Sequence, residues 1–423
     1  MVRSRIARLL VAIAMIGATG SIHVSPTHAD DPIEATPRRA ARASAPERTT
    51  APATRPPRAL RALDPRVHRA VDGTLVSDLP DGSTAILTLD PGLQGEMEGL
   101  FARYEVPWGA LVAIEPATGR VLAYVSHSSA EADAEDLVLA PSAPAASVFK
   151  VITGAALIDA GVGPATRVCY HGGGSRLVRE HLEDDPRRDT LCATLEEAMG
   201  GSINAVFAKL SDRHLEPATM ERYASAFGFG EALPFDVPTT ASPIDVPEER
   251  LERARAAAGF WHSRLSPLHG ALIAATIAND GAMPRARIVE SLIDGEGHVA
   301  YEQRPAVHRQ VVGRLTARAL NRMMQRTVSH GTARRAFHDE RGNAFLPGIR
   351  VAGKTGTLSA ERPYRGYTWF VGFAPADRPQ IAVAALVVNR PEWRIKASFV
   401  AREALRHWLI TRPRQQRAAR AAE

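Results

Sequence analysis

From about residue 85 onward the apolar and polar positions fall into periods that name secondary structure. Ala85-Ile86-Leu87-Thr88-Leu89 reads as a strand, and the segment after it sets Leu93, Met97, Leu100, Phe101 and Tyr104 on one face of a helix. Two apolar runs, Ala110 to Ile114 and Val121 to Ser126, flank Pro116-Ala117-Thr118-Gly119, a connection of hairpin length made of turn residues. From Ser147 to about Val328 the pattern becomes mostly helical. It comprises Ser147 to Ala160 stopped at Gly161, Leu195 to Leu210, Leu268 to Asn279, and Thr316 to Val328. Strands return at Ile349 to Thr357, Tyr367 to Phe373 and Ile381 to Val388, and a helix from about Trp393 to Ile410 follows. The last two strands are apolar on both faces, which predicts helices on both sides of them.

This order predicts an α+β fold: an antiparallel five-stranded sheet flanked by helices, with early and late strands meeting around a large inserted helical subdomain. A cleft between the sheet and the inserted helices follows from it. No internal repeat is visible.

The flanks read differently. Residues 30 to 84 are rich in Ala, Arg, Pro and Thr and carry almost no periodic apolar pattern, which predicts a disordered basic tether. Ahead of it, residues 1–29 combine Arg3, Arg5 and Arg8 with an apolar run from Leu9 to about Ala18 and a small-residue cleavage site at Thr27-His28-Ala29. That is the pattern of a signal peptide. A short uncleaved membrane anchor is the alternative, although the run falls short of the roughly 20 residues that span a bilayer. The expected organisation is therefore an exported, periplasmic or cell-envelope protein with one domain over residues 85–412 and a basic tail over 413–423.

With 423 residues, 45% of them hydrophobic and 23% charged, the chain has enough apolar side chains for a large core. Its net charge of +6 suits an anionic neighbour, either a membrane surface or a wall polymer. No nucleic-acid-binding motif accompanies the charge, so nucleic acid is excluded as a partner. Of 52 basic side chains only four are lysines: Lys150, Lys209, Lys354 and Lys396. Arginine stays charged in a protein, whereas a desolvated lysine can lose its proton and act as a base. The rare lysines are therefore the ones to locate. Export also makes Cys169 and Cys192 a possible disulfide, closing a loop that holds Gly172-Gly173-Gly174 and contributing about 3 kcal/mol.

Three short motifs carry candidate chemistry: Ser147-Val148-Phe149-Lys150, Ser202-Ile203-Asn204, and Lys354-Thr355-Gly356 extended by Thr357. Residues i and i+3 share a helix face, so Lys150 can reach the Ser147 hydroxyl, and the apolar helix that follows would bury the lysine and depress its pKa. Ser202 and Asn204 offer a hydroxyl for proton relay and an amide for a substrate backbone. On the late strand, Lys354 adds positive charge, Thr355 and Thr357 add hydroxyls for a carboxylate, and Gly356 lets a peptide approach the backbone. Each motif alone is common; the three in this order are not.

Together they resemble the signature of penicillin-binding proteins and serine β-lactamases. The stretch Val112-Ala113-Ile114-Glu115-Pro116-Ala117-Thr118-Gly119-Arg120-Val121-Leu122-Ala123 is similar to the strand pair that opens the transpeptidase domain of penicillin-binding proteins. So are Leu265-Ser266-Pro267-Leu268 and Ala278-Asn279-Asp280-Gly281. The resemblance runs from about residue 85 to about 410, and it resembles the catalytic module of monofunctional class B-like members. It implies a D,D-transpeptidase that forms an acyl-enzyme on Ser147 with peptidoglycan stem peptides ending in D-Ala-D-Ala. It also implies covalent binding of β-lactams, an oxyanion hole from the backbone N–H groups of Ser147 and Thr357, and room for a glycosyltransferase as partner. No metal and no organic cofactor is required, and no oligomeric state is implied. A D,D-carboxypeptidase, a β-lactamase, or a non-catalytic wall-binding or penicillin-sensing module are the alternatives. One departure is local: many members carry Pro-Gly-Ser before the active-site motif, and this chain has Ala145-Ala146-Ser147.

Overall fold

The apolar runs pair into one antiparallel sheet. The structure, a computed structural model, describes residues 56–422. The strands of this sheet are β1 (Trp108–Ile114), β2 (Val121–Ser128), β3 (Ala352–Glu361), β4 (Tyr364–Ala374) and β5 (Ile381–Asn389), in the spatial order β3-β4-β5-β1-β2. The early hairpin thus docks on the last strand, with Leu111 opposite Ala385 and Ile114 opposite Ala382. The helices that build the cores and the site are α1 (Pro91–Arg103), α2 (Lys150–Asp159), α3 (Leu195–Gly201), α4 (Asn204–His214), α5 (Arg250–Ala258), α6 (Pro267–Ala278), α7 (Arg314–Ser329) and α8 (Ala397–Arg406).

Every residue of β1 and β5 is buried. Strand alternation sorts their side chains between two cores. Ala110, Val112, Ile114, Ala384 and Leu386 join the core under α6, while Leu111, Ala113, Val383, Ala385 and Val387 join the core under α1 and α8. This two-sided cover is the reason that these strands read as unbroken apolar runs. α6 itself is buried on nearly every side and starts with Ser266 as its N-cap and Pro267 in its first turn.

The inserted block between β2 and β3 is less purely helical than its periodicity predicts. Arg167–Tyr170 pairs with Leu191–Thr194, Ala143–Pro144 with Arg264–Leu265, and Ala282–Pro284 with Val307–Gln310. Strands of two to four residues carry too few positions for a period of two to show. The helix expected over Leu195 to Leu210 is also two helices, α3 and α4. They are separated at Ser202, whose φ of 56° is left-handed and follows Gly200-Gly201.

Order begins well ahead of residue 85. Within the stretch read as tether, Arg69–Val71, Thr74–Asp78 and Thr84–Leu87 join Val289–Ile293 and Val299–Glu302 in a second antiparallel sheet, and Leu60, Leu63, Leu75 and Val76 are buried. Short strands in an Ala/Arg/Pro-rich background are weak signals, and their partners are distant: the Thr88 hydroxyl donates to Arg287 O across 199 positions. At the other end the helix expected from Trp393 begins at Ala397. Trp393 Nε1 donates to the Tyr364 hydroxyl at 2.9 Å, and the Asn389 side chain bonds both Arg394 N–H and Ile395 O, which holds this stretch as a loop. Past a wider turn over His407–Thr411, Arg412–Ala422 is helical, so most of the expected basic tail is ordered helix. The expected signal peptide and the tether up to residue 55 lie outside the described residues.

Candidate active site

Ser147 sits in a 3₁₀ turn, Ala146–Phe149, that runs straight into α2. At three residues per turn, positions i and i+3 eclipse, so Ser147 and Lys150 stack, with Nζ 3.0 Å from Oγ. Ala146 precedes the serine with φ 49°, the left-handed region that disfavours a Cβ. The residue stands where the resemblance anticipates glycine, and its left-handed backbone is one that glycine adopts without strain. Neighbours clamp the turn. A Cβ on Gly259, just past α5, would come 2.2 Å from Ala146 O, and one on Gly356 of β3 would come 3.1 Å from Ala146 Cβ. Trp369 Nε1 adds a 2.8 Å bond to Pro144 O.

Lys150 is fully buried. Its Nζ lies 2.6 Å from Asn204 Oδ1 and 2.5 Å from Ala258 O at the end of α5. Burial, reinforced by the nearby Lys354 ammonium, pushes the Lys150 amine well below the ordinary lysine value. A neutral amine has two N–H groups and one lone pair. Two carbonyl-type acceptors take the N–H groups, which leaves the lone pair toward the Ser147 hydroxyl, as a base requires.

The second and third motifs meet across the cleft. Lys354, also fully buried, donates to Ser202 Oγ at 2.9 Å, and burial brings its amine down to about 7. The left-handed backbone at Ser202 lets the hydroxyl face β3 while Asn204 opens α4 toward Lys150. Asn204 Nδ2 donates to Gly174 O at 2.5 Å, so the amide is held at both ends. Ser147, Ser202, Asn204, Thr355, Gly356 and Thr357 line one cleft, with Thr332, Lys396 and Ser398 beside them. Past Thr357 the cleft continues to Leu358, Trp261 and Trp393. β3 is the edge of its sheet on this side.

The structure therefore brings together every catalytic and substrate-binding residue expected from sequence. Cys169 and Cys192 lie outside the cleft, opposite each other on paired strands and joined as a disulfide. Sequence reasoning missed Thr332, whose hydroxyl lies 2.5 Å from that of Thr355, and Lys396 at the cleft rim. The scarcity of lysine was the available signal for Lys396. It also missed the carbonyls of Ala258 and Gly174, for which no signal exists, because a backbone carbonyl has no residue type.

A serine stacked on a buried lysine, set between a helical block and the edge of an antiparallel sheet, defines the serine acyl-enzyme class with the β-lactamase-like fold. Within that class the chain belongs to the penicillin-binding protein transpeptidase family: the family model described as "Penicillin binding protein transpeptidase domain" matches residues 109–407. It is similar to peptidoglycan D,D-transpeptidase PbpA of Mycolicibacterium smegmatis, with 31% identity over 317 residues covering 66% of this chain and 61% of the relative. PbpA of Mycobacterium tuberculosis is 29% identical over 385 residues, covering 78% of this chain and 74% of the relative. The crystal structure of the M. tuberculosis protein superposes with a TM-score of 0.64 at 25% identity, over 76% of this chain and 82% of that one. Its imipenem acyl-enzyme complex superposes at 0.62 and 25% identity, over 76% and 79% of the two chains.

Proposed function

We propose that this chain is a peptidoglycan D,D-transpeptidase that acylates itself on Ser147 and is acylated there by β-lactams. The observation that carries the reading is the Ser147–Lys150 stack, in which the buried Nζ lies within hydrogen-bond distance of the Ser147 hydroxyl, Asn204 Oδ1 and Ala258 O. The relatives named above as D,D-transpeptidases and the imipenem acyl-enzyme of one of them support it.

The chemistry follows from the groups present. A stem peptide ending in D-Ala-D-Ala lies along the free edge of β3, adding its backbone to the strand. Its terminal carboxylate meets the hydroxyls of Thr355 and Thr357 in the field of Lys354. Ser147 Oγ attacks the penultimate D-Ala carbonyl as Lys150 takes the hydroxyl proton, and the backbone N–H groups of Ser147 and Thr357 receive the oxyanion. The C–N bond then breaks. Ser202, bonded to Lys354, relays a proton to the departing D-Ala amine, and Asn204 bonds the substrate amide. An acceptor amine attacks the ester next, giving up its proton and restoring the Ser147 hydroxyl. A glycosyltransferase that supplies glycan strands fits as a partner, and residues 1–29 direct the enzyme to the cell envelope, outside the cytoplasmic membrane. No helix among the described residues is long and apolar enough to cross a membrane.

Labelled penicillin tests the assignment. The wild-type chain is expected to form one stable adduct and Ser147→Ala none; a Ser147→Ala protein that still carries the label would sink it. Amine-dependent release of product from a D-Ala-D-Ala peptide marks the transpeptidase, and release by water alone marks a carboxypeptidase.

A further inference from the structure

Away from the cleft, a third lysine is as deeply buried as the two at its centre and has no part in the chemistry above. Lys209 of α4 is fully buried and donates to Asp189 Oδ2 at 2.6 Å, Asp184 Oδ1 at 3.2 Å and Cys169 O at 3.1 Å. Charge pairs buried this way contribute little net stability compared with an apolar pair, so their retention asks for another reason. The second oxygen of Asp189 lies 2.5 Å from His171 Nδ1, and the first also accepts Asp185 N–H at 3.1 Å.

These contacts hold the two feet of one segment, residues 169–192, which the Cys169–Cys192 disulfide also ties together. From His171 the segment enters Gly172-Gly173-Gly174 and crosses the start of α4. A Cβ on Gly173 would stand 2.9 Å from Ala205 Cβ, and Gly174 O receives Asn204 Nδ2. Farther along, Arg255 of α5 donates to Leu177 O at 2.6 Å. The nitrogen and oxygen ends of a carboxamide are nearly the same size, so partners alone decide which way it faces. Here the Gly174 carbonyl takes the nitrogen and leaves Oδ1 for Lys150.

We propose that the Lys209–Asp189 pair and the Cys169–Cys192 disulfide form a positioning device for Asn204, fixing the 169–192 strap so that Gly174 O turns the amide oxygen toward Lys150. The inference rests on the function proposed above, in which Lys150 is the base. With the strap released, the amide is free to turn, and Lys150 loses the acceptor that directs its lone pair at Ser147.

The test is a double-mutant cycle on the full chain, reading the second-order rate constant of acylation by labelled penicillin across pH. Lys209→Met/Asp189→Leu removes the pair without leaving either charge of it buried alone, and Cys169→Ser/Cys192→Ser opens the strap without touching α4. Each is made with Asn204 and with Asn204→Ala. With Asn204 present, each change is expected to lower acylation roughly tenfold. It is also expected to move the acid limb of the profile to lower pH, since Lys150 loses an acceptor while still facing the Lys354 cation. In the Asn204→Ala background neither is expected to lower the rate further, because the device acts only through that amide. Losses that add in full, or an unchanged rate and profile, overturn the inference. If the double variant of the ion pair fails to fold, the cysteine variant alone completes the cycle. A wild-type chain that forms no adduct removes the proposed function and this inference together; a reactive wild type with additive losses removes this inference alone.

Discussion

Lys354 Nζ lies 2.9 Å from Ser202 Oγ, although 152 positions separate the two residues in the chain. The contact closes the cleft between β3 and the helical block, and in the proposed mechanism it couples proton relay to a lysine that burial brings down to about 7. Near neutral pH this lysine changes charge, while burial and the neighbouring Lys354 ammonium push the Lys150 amine well below the ordinary lysine value.

An alkaline limb follows for penicillin acylation. In the proposed mechanism the carboxylate of the penicillin is drawn by the charged form of Lys354, which is lost as pH rises through about 7. The second-order rate constant is expected to fall by about tenfold per pH unit above that limb, and Lys354→Arg, which keeps its charge, should lose the limb. A wild-type profile that stays flat from neutral to alkaline pH contradicts this.

Replacing Lys150 with Arg should be as damaging as replacing it with Met, with acylation reduced by roughly 10²–10⁴ in either variant. An arginine fills the space and keeps the positive charge, but it cannot accept the Ser147 proton. Mass spectrometry of the penicillin adduct over time measures both; an Arg variant within tenfold of wild type would show that charge, and not basicity, is what the position supplies.

Ala146→Gly is expected to stabilise the fold. A left-handed residue with a Cβ is strained by roughly 1–2 kcal/mol, whereas the extra freedom of glycine in the unfolded chain takes back about 0.5–1 kcal/mol. A net gain of about 0.5–1 kcal/mol should appear as a higher urea midpoint at unchanged slope. Loss of stability would mean that the contact of the Ala146 methyl group with Gly356 outweighs the strain.

Acid sensitivity should trace in part to His269. Burial, opposed by its bond to Phe227 O, holds this imidazole down to about 4 from an ordinary 6.5, so it stays neutral in the fold. Between those values the unfolded chain binds a proton that the folded one refuses. Stability from this group is therefore complete above about pH 6.5 and declines as pH falls toward about 4, by on the order of 3 kcal/mol. His269→Gln keeps a donor for Phe227 O without a titration, and denaturation at both ends of the window should show a smaller difference than in wild type.

The main sheet and the three motifs were legible because β5 and β1 are apolar on both faces and because Ser147, Lys150 and Lys354 are residue types that chemistry restricts. What stayed hidden shares one cause, dependence on distant partners. Thr74–Asp78 is a strand only because other strands cover it, and α3 parts from α4 at a single left-handed Ser202. The acceptors around Lys150 and Asn204 are backbone carbonyls of Ala258 and Gly174, invisible to any pattern of side chains. The departure at Ala146 is of another kind: the residue has a Cβ, and its backbone is nonetheless left-handed.

Burial of Lys150, Lys209 and Lys354 leaves Lys396, at the rim of the cleft and beside Trp393, as the one exposed lysine side chain of the four. An amine-directed reagent applied to the folded protein therefore meets a single lysine, placed on the lining of the cleft. A fluorophore or surface linkage put there would report on, or obstruct, the mouth of the cleft while leaving the reactive amines inside untouched.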